Sequence, residues 1–115
     1  MLLPAWQSPS KAGVKRTPLQ KAEFPDGYAT VSRIAEIPVG GSAGRHTHPG
    51  VEMGYLPGGE ADLLVEGPDQ HLKAGDSHMI PADTPLDAKI HGDKALKVLG
   101  VYVVDKTRPL ASPAP

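Results

Sequence analysis

The sequence predicts an all-β fold, a sandwich or a barrel built from about eight short strands. Apolar and polar residues alternate over short stretches, which is the pattern of half-buried strands, and turn residues separate these stretches at intervals of about 6 to 12 residues. The 115 residues include 13 glycines and 13 prolines, which favour short strands and tight turns over long helices. No segment keeps the period of an amphipathic helix, and the length suits a single domain.

Two terminal arms, residues 1–26 and 107–115, are predicted to flank a domain of residues 27–106. The first arm lacks a strand period, and the second is a proline-rich tail that cannot be regular sheet throughout. The apolar start Met1–Trp6 is either an unstructured leader or the end of a truncated secretion signal. The chain is therefore expected in the cytoplasm, or in the periplasm or outside the cell if the second alternative holds.

The predicted strands follow one another from Tyr28 onwards. In Tyr28–Ile37 the side chains of Val31, Ala35 and Ile37 share one face, which is the period of a half-buried strand. The glycine-rich stretch "PVGGSAG" ends this strand, and short strands are expected around Arg45–His48 and Val51–Leu56. Further strands are predicted in "ADLLVEG", in "HLKAGDSHMIP" with a bend at its Ala-Gly pair, in "LDAKI" and in the strongly apolar "ALKVLGVYVV".

Composition excludes several classes of protein. Twelve basic and thirteen acidic residues give a net charge of −1, which argues against a nucleic-acid-binding protein or a protein of anionic membrane surfaces. The absence of cysteine excludes disulfides, thiolate metal sites and cysteine nucleophiles. No stretch approaches the roughly 20 apolar residues of a membrane helix, and no Ser-His-Asp elbow, P-loop or dinucleotide fingerprint is present.

The stretch "GRHTHPGVEMGYLPGG" carries the candidate chemistry. On a strand, His46 and His48 present both imidazoles to one face. Glu52 follows a Pro-Gly turn, and a tight turn can bring its carboxylate beside the two rings. Two imidazoles and one carboxylate form the facial triad typical of non-haem iron(II), which Mn, Ni, Cu or Zn can also use. An isolated H-x-H is common, however, and the same residues could be polar surface without an ion.

A longer stretch, "GGSAGRHTHPGVEMGYLPGG", fits the first cupin motif, G-x5-H-x-H-x3-E-x6-G. It meets every fixed position of that motif, at Gly40, His46, His48, Glu52 and Gly59. Over about residues 28 to 104, the chain resembles the small single-domain bacterial cupins of the RmlC-like type. The resemblance implies a jelly-roll β-barrel that usually pairs into homodimers and holds a divalent metal on His46, His48 and Glu52.

The second cupin motif, G-x5-P-x-G-x2-H-x3-N, is met only in part by "GDSHMIPADTPLDAKI". Its first glycine and its proline are present, but the second glycine is replaced by Asp83. The histidine that is the fourth ligand in the family falls on Leu86, and the asparagine falls on Ile90. Three protein ligands can still hold a metal, with a lower affinity, so both a weakened site and a lost site stay open.

Two other histidines are candidates for the missing ligand. His78 lies two residues before Ile80, so both side chains face the same side of the strand, which predicts a partly buried side chain for His78. His91 lies in the turn "IHGDK" and is expected at the barrel rim. Each could instead be a hydrogen-bonded structural residue, and His71, beside a turn, is expected to be solvated.

Four further residues are predicted to line the pocket. Arg33 falls on the apolar face of its strand, so either its stem reaches the rim, which is the favoured interpretation, or its guanidinium faces the barrel mouth as an anion clamp. Tyr55 could line the cavity or pack in the core. Leu86 and Ile90 would make one side of the cavity apolar, where the resembling family is polar.

These residues leave two main functional hypotheses. The first is a mononuclear metal-dependent enzyme of dioxygenase or isomerase type, with Fe, Mn, Ni, Cu or Zn bound and a small organic molecule as substrate. The alternative is a non-catalytic cupin that binds a small ligand after its metal site has weakened or gone. A structural or interaction role is a third and weaker option. Neither nucleic acid nor a membrane is an expected partner.

Overall fold

The computed structural model describes residues 13–115, and all of the regular structure in that range is β-strand. The apolar start Met1–Trp6, for which a signal remnant was considered, lies outside the described residues. No helix able to cross a bilayer occurs in the described part of the chain. The ten strands are β1 (Lys15–Ala22), β2 (Tyr28–Ile37), β3 (His46–Thr47), β4 (Gly50–Gly58), β5 (Glu60–Val65), β6 (Gln70–Lys73), β7 (Ser77–Ile80), β8 (Leu86–Ile90), β9 (Leu96–Asp105) and β10 (Ser112–Pro113).

The strands form two antiparallel sheets of five strands each. One has the order β1-β2-β9-β4-β7, and the other has the order β10-β3-β8-β5-β6. Alternate residues of both sheets point inward and meet in an apolar cluster, the larger of two in the described residues, as the period-two pattern predicts. Its buried members from the first sheet include Ile37, Leu56, Ile80 and Leu96, and those from the second include Ala61, Leu63, Leu72 and Leu86. The prediction of an all-β jelly roll is confirmed.

Both predicted arms contain residues that pair with the sheets of the barrel. Lys15–Ala22, assigned to the first arm, is instead the edge strand β1, paired with β2. An edge strand buries little of its surface, so its alternation is weak, and Pro18 lies beside an irregularity in the pairing, as proline does at sheet edges. In the tail, Leu110 is buried and Ser112–Pro113 pairs with β3.

Asp83 explains one departure from the second motif. Its φ of 58° lies in the left-handed region, where glycine is unstrained and aspartate is one of the better-tolerated alternatives. The N–H of Asp83 donates to the carbonyl of His48 at 2.8 Å, and its carboxylate pairs with Arg108 at 2.6 Å. The residue therefore joins the turn after β7 to the strand segment that carries the histidines.

Replacing Asp83 by alanine should lower the free energy of unfolding by about 1 kcal/mol more than replacing it by glycine. Both variants lose the ion pair with Arg108, so the difference between them isolates the left-handed backbone conformation. Urea unfolding of the two variants measures it. Equal stabilities would contradict the strain assigned to this position.

Candidate functional site

One row of four residues crosses the inner face of the first sheet and determines where the site lies. The strand register pairs Arg33 with Gly100, Gly100 with Gly54, and Gly54 with His78. The two central positions lack side chains, so rings from neighbouring positions can lie over bare backbone. A Cβ at Gly54 would lie 2.2 Å from Cε1 of His78, and a Cβ at Gly100 would lie 2.6 Å from the hydroxyl of Tyr102.

The structure brings His46, His48, Glu52 and His78 together on the barrel interior. The Glu52 carboxylate bridges two imidazoles, with Oε1 at 3.2 Å from Nε2 of His48 and Oε2 at 2.8 Å from Nε2 of His78. The ring of His46 meets that of His48 edge to face, with 4.8 Å between their centroids. His48, Glu52 and His78 are buried. Two imidazoles thus flank one carboxylate, and the third imidazole lies beside His48.

Backbone carbonyls orient two of these imidazoles. The Nδ1–H of His48 donates to the carbonyl of Leu110 at 2.7 Å, and that of His46 donates to the carbonyl of Gly44 at 2.6 Å. Because a carbonyl only accepts, this places the lone pair of each neutral ring on Nε2. Nε2 of His48 is buried and makes no hydrogen bond of acceptable geometry, despite its closeness to Glu52. Nε2 of His48 and the Glu52 carboxylate are therefore both available to a cation bound beside them.

Glu52 and His46 differ from free side chains in their protonation equilibria. Burial raises the pKa of the Glu52 carboxyl, but its contacts with His48 and His78 outweigh burial and lower that pKa to about 2. Burial lowers the pKa of His46 below its usual value. At neutral pH the group therefore offers an ionised carboxylate and a neutral His46 imidazole, which are the states that bind metal.

A cavity of about 70 Å³ extends from this group between the two sheets. Its polar lining comes mainly from the first sheet and includes Arg16, Arg33 and Tyr102 beside Glu52 and His78. The wall from the second sheet is mostly apolar and includes Ala61, Leu63, Leu72, Leu86 and Ala88. Sequence reasoning missed Arg16 because it was assigned to an arm. It also missed Tyr102, although Tyr102 lies two residues before the buried Val104 and therefore on the same face of its strand.

Two of the four predicted pocket residues line this cavity, and two do not. Leu86 and Arg33 do so, but the rim interpretation of Arg33 is wrong, because the residue is only 5% exposed and faces inward. Tyr55 is 47% exposed, since it follows the inward-facing Gly54 and its side chain points outward. Ile90 packs against the apolar cluster away from the cavity lining.

His91 lies apart from the barrel group, on the outer face of the second sheet. Its Nε2 is 2.9 Å from Asp62 Oδ2, and the two nitrogens of His71 lie 2.8 Å from Asp62 Oδ1 and 2.6 Å from Glu60 Oε2. One ligand atom from each of Asp62, His71 and His91 lies within 4.8 Å of the others. Contacts with Asp62 and Glu60 raise the pKa of His71. The sequence could not reveal this group, because it depends on the pairing of β5 with β6 and β8.

Comparison with known proteins gives a family and a fold. The model of the family described as "Cupin domain" matches residues 33–102. No curated protein gives a significant match. Among solved structures, a double-stranded β-helix domain protein from Klebsiella pneumoniae is similar, with a TM-score of 0.71, 19% identity and coverage of 99% of this chain and 96% of that one.

Two similar structures are named as enzymes. The DMSP lyase DddQ from Ruegeria pomeroyi has a TM-score of 0.74 and 22% identity, over 95% of this chain and 58% of that one. The oxalate decarboxylase from Lactobacillus farciminis, a formate complex, has a TM-score of 0.64 and 23% identity, over 83% of this chain and 33% of that one. At these identities the similarity shows the shared fold.

Proposed function

Because this chain belongs to the cupin family, we propose that it binds a divalent metal ion inside its barrel, on His46, His48, Glu52 and His78. The observation that carries the proposal is the buried Nε2 of His48, which has no hydrogen-bond partner and faces the Glu52 carboxylate at 3.2 Å. Cupins commonly bind divalent metals. Three imidazoles and a carboxylate suit Fe, Mn, Ni, Cu or Zn, and the donor set alone does not select one of them.

His78 is proposed to replace the ligand that the family motif places at Leu86. Leu86 lies opposite His46 in the strand register and is buried, but its side chain offers no donor atom. His78 approaches the same group from the other sheet, over Gly54, and its Nε2 already contacts Glu52. His78 and Glu52 would then both hold the ion.

The metal would supply a Lewis acid or redox centre for a small organic substrate. Around it, the chain's own residues would hold and shield the substrate. The leucine-rich wall would exclude water from one side of the cavity, while Arg33 and Tyr102 would offer N–H and O–H donors beside the ligands. Similar folds in a DMSP lyase and an oxalate decarboxylase support a small-molecule substrate.

The second candidate function is a non-catalytic small-ligand-binding module. The apolar replacement at Leu86, which lines the cavity, favours it over an enzyme, because it removes the histidine that the motif carries there. A ligand that stabilises the chain equally with and without metal would support this alternative. Turnover that depends on the metal would support the enzyme.

The surface group formed by Asp62, His71 and His91 is a second position where a metal could bind. It is more exposed, and both nitrogens of His71 already contact carboxylates, which stabilise a protonated imidazole instead. The barrel group therefore remains the proposed site. The experiment that tests it measures metal content in variants of either group.

We also propose a second copy of the chain as a partner, which the resemblance to dimeric cupins led us to expect. Met53 and Met79 are opposite each other in the register of β4 and β7, and they are 49% and 54% exposed on the outer face of the first sheet. Tyr55 extends this apolar patch. A contiguous exposed apolar patch is typical of an interaction surface.

The Met53→Glu/Met79→Glu variant should be monomeric at concentrations at which the wild-type chain is a dimer, because charge cannot be buried unpaired in an apolar interface. Sedimentation velocity measures the association state. Val39→Glu is the matched control, since Val39 is equally exposed at 54% but lies in the loop after β2. Unchanged association in the double variant would contradict this interface.

A further inference from the structure

We propose that the cavity binds the carboxylate of a short aliphatic acid between the guanidinium groups of Arg16 and Arg33. The inference rests on the metal site proposed above and names the substrate class of that site. It follows from two arginines of the cavity that form no ion pair within the described residues, from the charges around them and from the distribution of polar and apolar walls.

Arg33 is a buried cation without a counterion. Its Nε is buried and has no hydrogen-bond partner, and its guanidinium lies over the ring of Tyr102, with Cζ 4.9 Å from the ring centroid. Within residues 13–115 it forms no ion pair. Burying a charge is costly unless it is paired and hydrogen-bonded. An anion in the cavity would supply both the charge and the missing acceptor.

Arg16 places a second cation beside the first. It is opposite Ala35 in the register of β1 and β2, so Arg16 and Arg33 are diagonal neighbours on the inner face. Burial and the charge of Arg33 both lower the pKa of Arg16, which agrees with two guanidinium groups that lie near one another in the cavity lining. Two adjacent guanidinium groups form a fork suited to a carboxylate.

The carboxylates of the cavity are engaged elsewhere. Glu52 contacts His48 and His78. Asp87 accepts hydrogen bonds from the hydroxyl of Ser42 at 3.2 Å and from the N–H of Ala88 at 2.7 Å. These two carboxylates offset the two arginines in formal charge. A bound divalent metal would add two positive charges, and a carboxylate ligand would offset one of them.

The walls favour a carboxylate with an alkyl chain over an inorganic anion. Arg16, Arg33 and Tyr102 lie on the first sheet, whereas the facing wall is mostly leucine and alanine. Phosphate presents oxygens in every direction and would leave some of them against this apolar wall without donors. A short acid places its carboxylate on the arginines and its methylenes on the leucines. The volume of about 70 Å³ limits its length, since pockets for drug-sized ligands begin at about 300 Å³.

Titration calorimetry of the metal-loaded chain with butyrate, butyramide and inorganic phosphate tests the inference. Butyrate should bind, and butyramide, which has the same shape without the charge, should bind about tenfold more weakly or worse. Arg33→Gln and Arg16→Gln should each weaken butyrate binding by about tenfold or more. Arg16 is only partly buried, so its variant keeps the test valid if Arg33→Gln does not fold. Arg108→Gln is the control, because Arg108 pairs with Asp83 on the surface, and it should bind butyrate as the wild-type chain does.

Several outcomes would overturn the inference. Equal binding of butyramide and butyrate would exclude charge recognition, and unchanged binding in both arginine variants would exclude the proposed clamp. Tighter binding of phosphate than of butyrate would exclude a carboxylate ligand. Metal content measured on the same samples separates the two proposals. A chain that holds metal but no butyrate refutes only the carboxylate site, whereas arginine-dependent butyrate binding without metal refutes only the metal site.

Discussion

Wild-type protein should retain about one ion per chain after it is loaded with excess Fe²⁺, Mn²⁺, Ni²⁺, Cu²⁺ or Zn²⁺ and desalted, for at least one of these metals. The His46→Ala/His48→Ala variant should retain almost none after the same treatment. The two substitutions remove the imidazoles whose Nε2 atoms the carbonyls of Gly44 and Leu110 leave free. The remaining Glu52 and His78 cannot hold the ion alone against chelation by solvent and buffer. Mass spectrometry of the metal on tag-free protein measures the content.

His71→Ala/His91→Ala is the matched control, because it removes the same number of imidazoles from the surface group and leaves the barrel intact. It should retain the metal content of the wild-type chain. Loss of metal in this variant, with retention in the barrel variant, would place the ion on the surface group instead. Metal at background in every sample would show that the barrel keeps the motif without the ion, and apolar ligands would then be the next to test.

His78→Ala addresses the fourth ligand separately. If His78 replaces the ligand lost at Leu86, this variant should bind metal about 10- to 100-fold more weakly than the wild-type chain, while His46, His48 and Glu52 still support a residual site. Adding Leu86→His to it should restore affinity, because Leu86 lies opposite His46 in the register. An affinity unchanged by His78→Ala would show that the site uses three protein ligands.

Period-two alternation carried most of the fold prediction, because it reports which residues of a strand face the core. It correctly indicated strands at Tyr28–Ile37 and through the apolar stretch that forms β9. It failed at Lys15–Ala22, since an edge strand buries little surface and depends on its pairing with β2 for definition. Because β1 was not predicted, Arg16 was not predicted to line the cavity.

The sequence predicts on which face of a strand each site residue lies. It does not predict which residues of neighbouring strands lie beside it. The position of Glu52 on the inner face fixes Tyr55 outside, so the error at Tyr55 could have been avoided. The sequence favours His78 over His91 as the fourth ligand, but nothing local shows that His78 lies opposite Gly54 or that His91 lies near Asp62. Contacts of this kind depend on strand register, which the sequence of one strand does not contain.

Gly54→Ala should destabilise the fold by about 1–3 kcal/mol and should also lower metal affinity, because the new Cβ occupies the space of the His78 ring. That Cβ would lie 2.2 Å from Cε1 and 2.6 Å from Nε2 of His78, distances that no packed structure accepts. Either the ring moves away from Glu52 or strands β4 and β7 separate. Urea unfolding and metal content measure the two consequences on the same samples.

Gly58→Ala is the matched control on the same strand, since a Cβ there would meet no atom within 4 Å. It should change stability by less than about 1 kcal/mol and leave the metal in place. The cause assigned to the Gly54 effect is tested by removing the ring itself. In a His78→Ala background, Gly54→Ala should lose most of its cost, because the atoms it would meet are gone, and the two substitutions should be strongly non-additive. Additive effects would show that Gly54→Ala destabilises the backbone of β4. They would also show that Gly54 does not position the ring of His78.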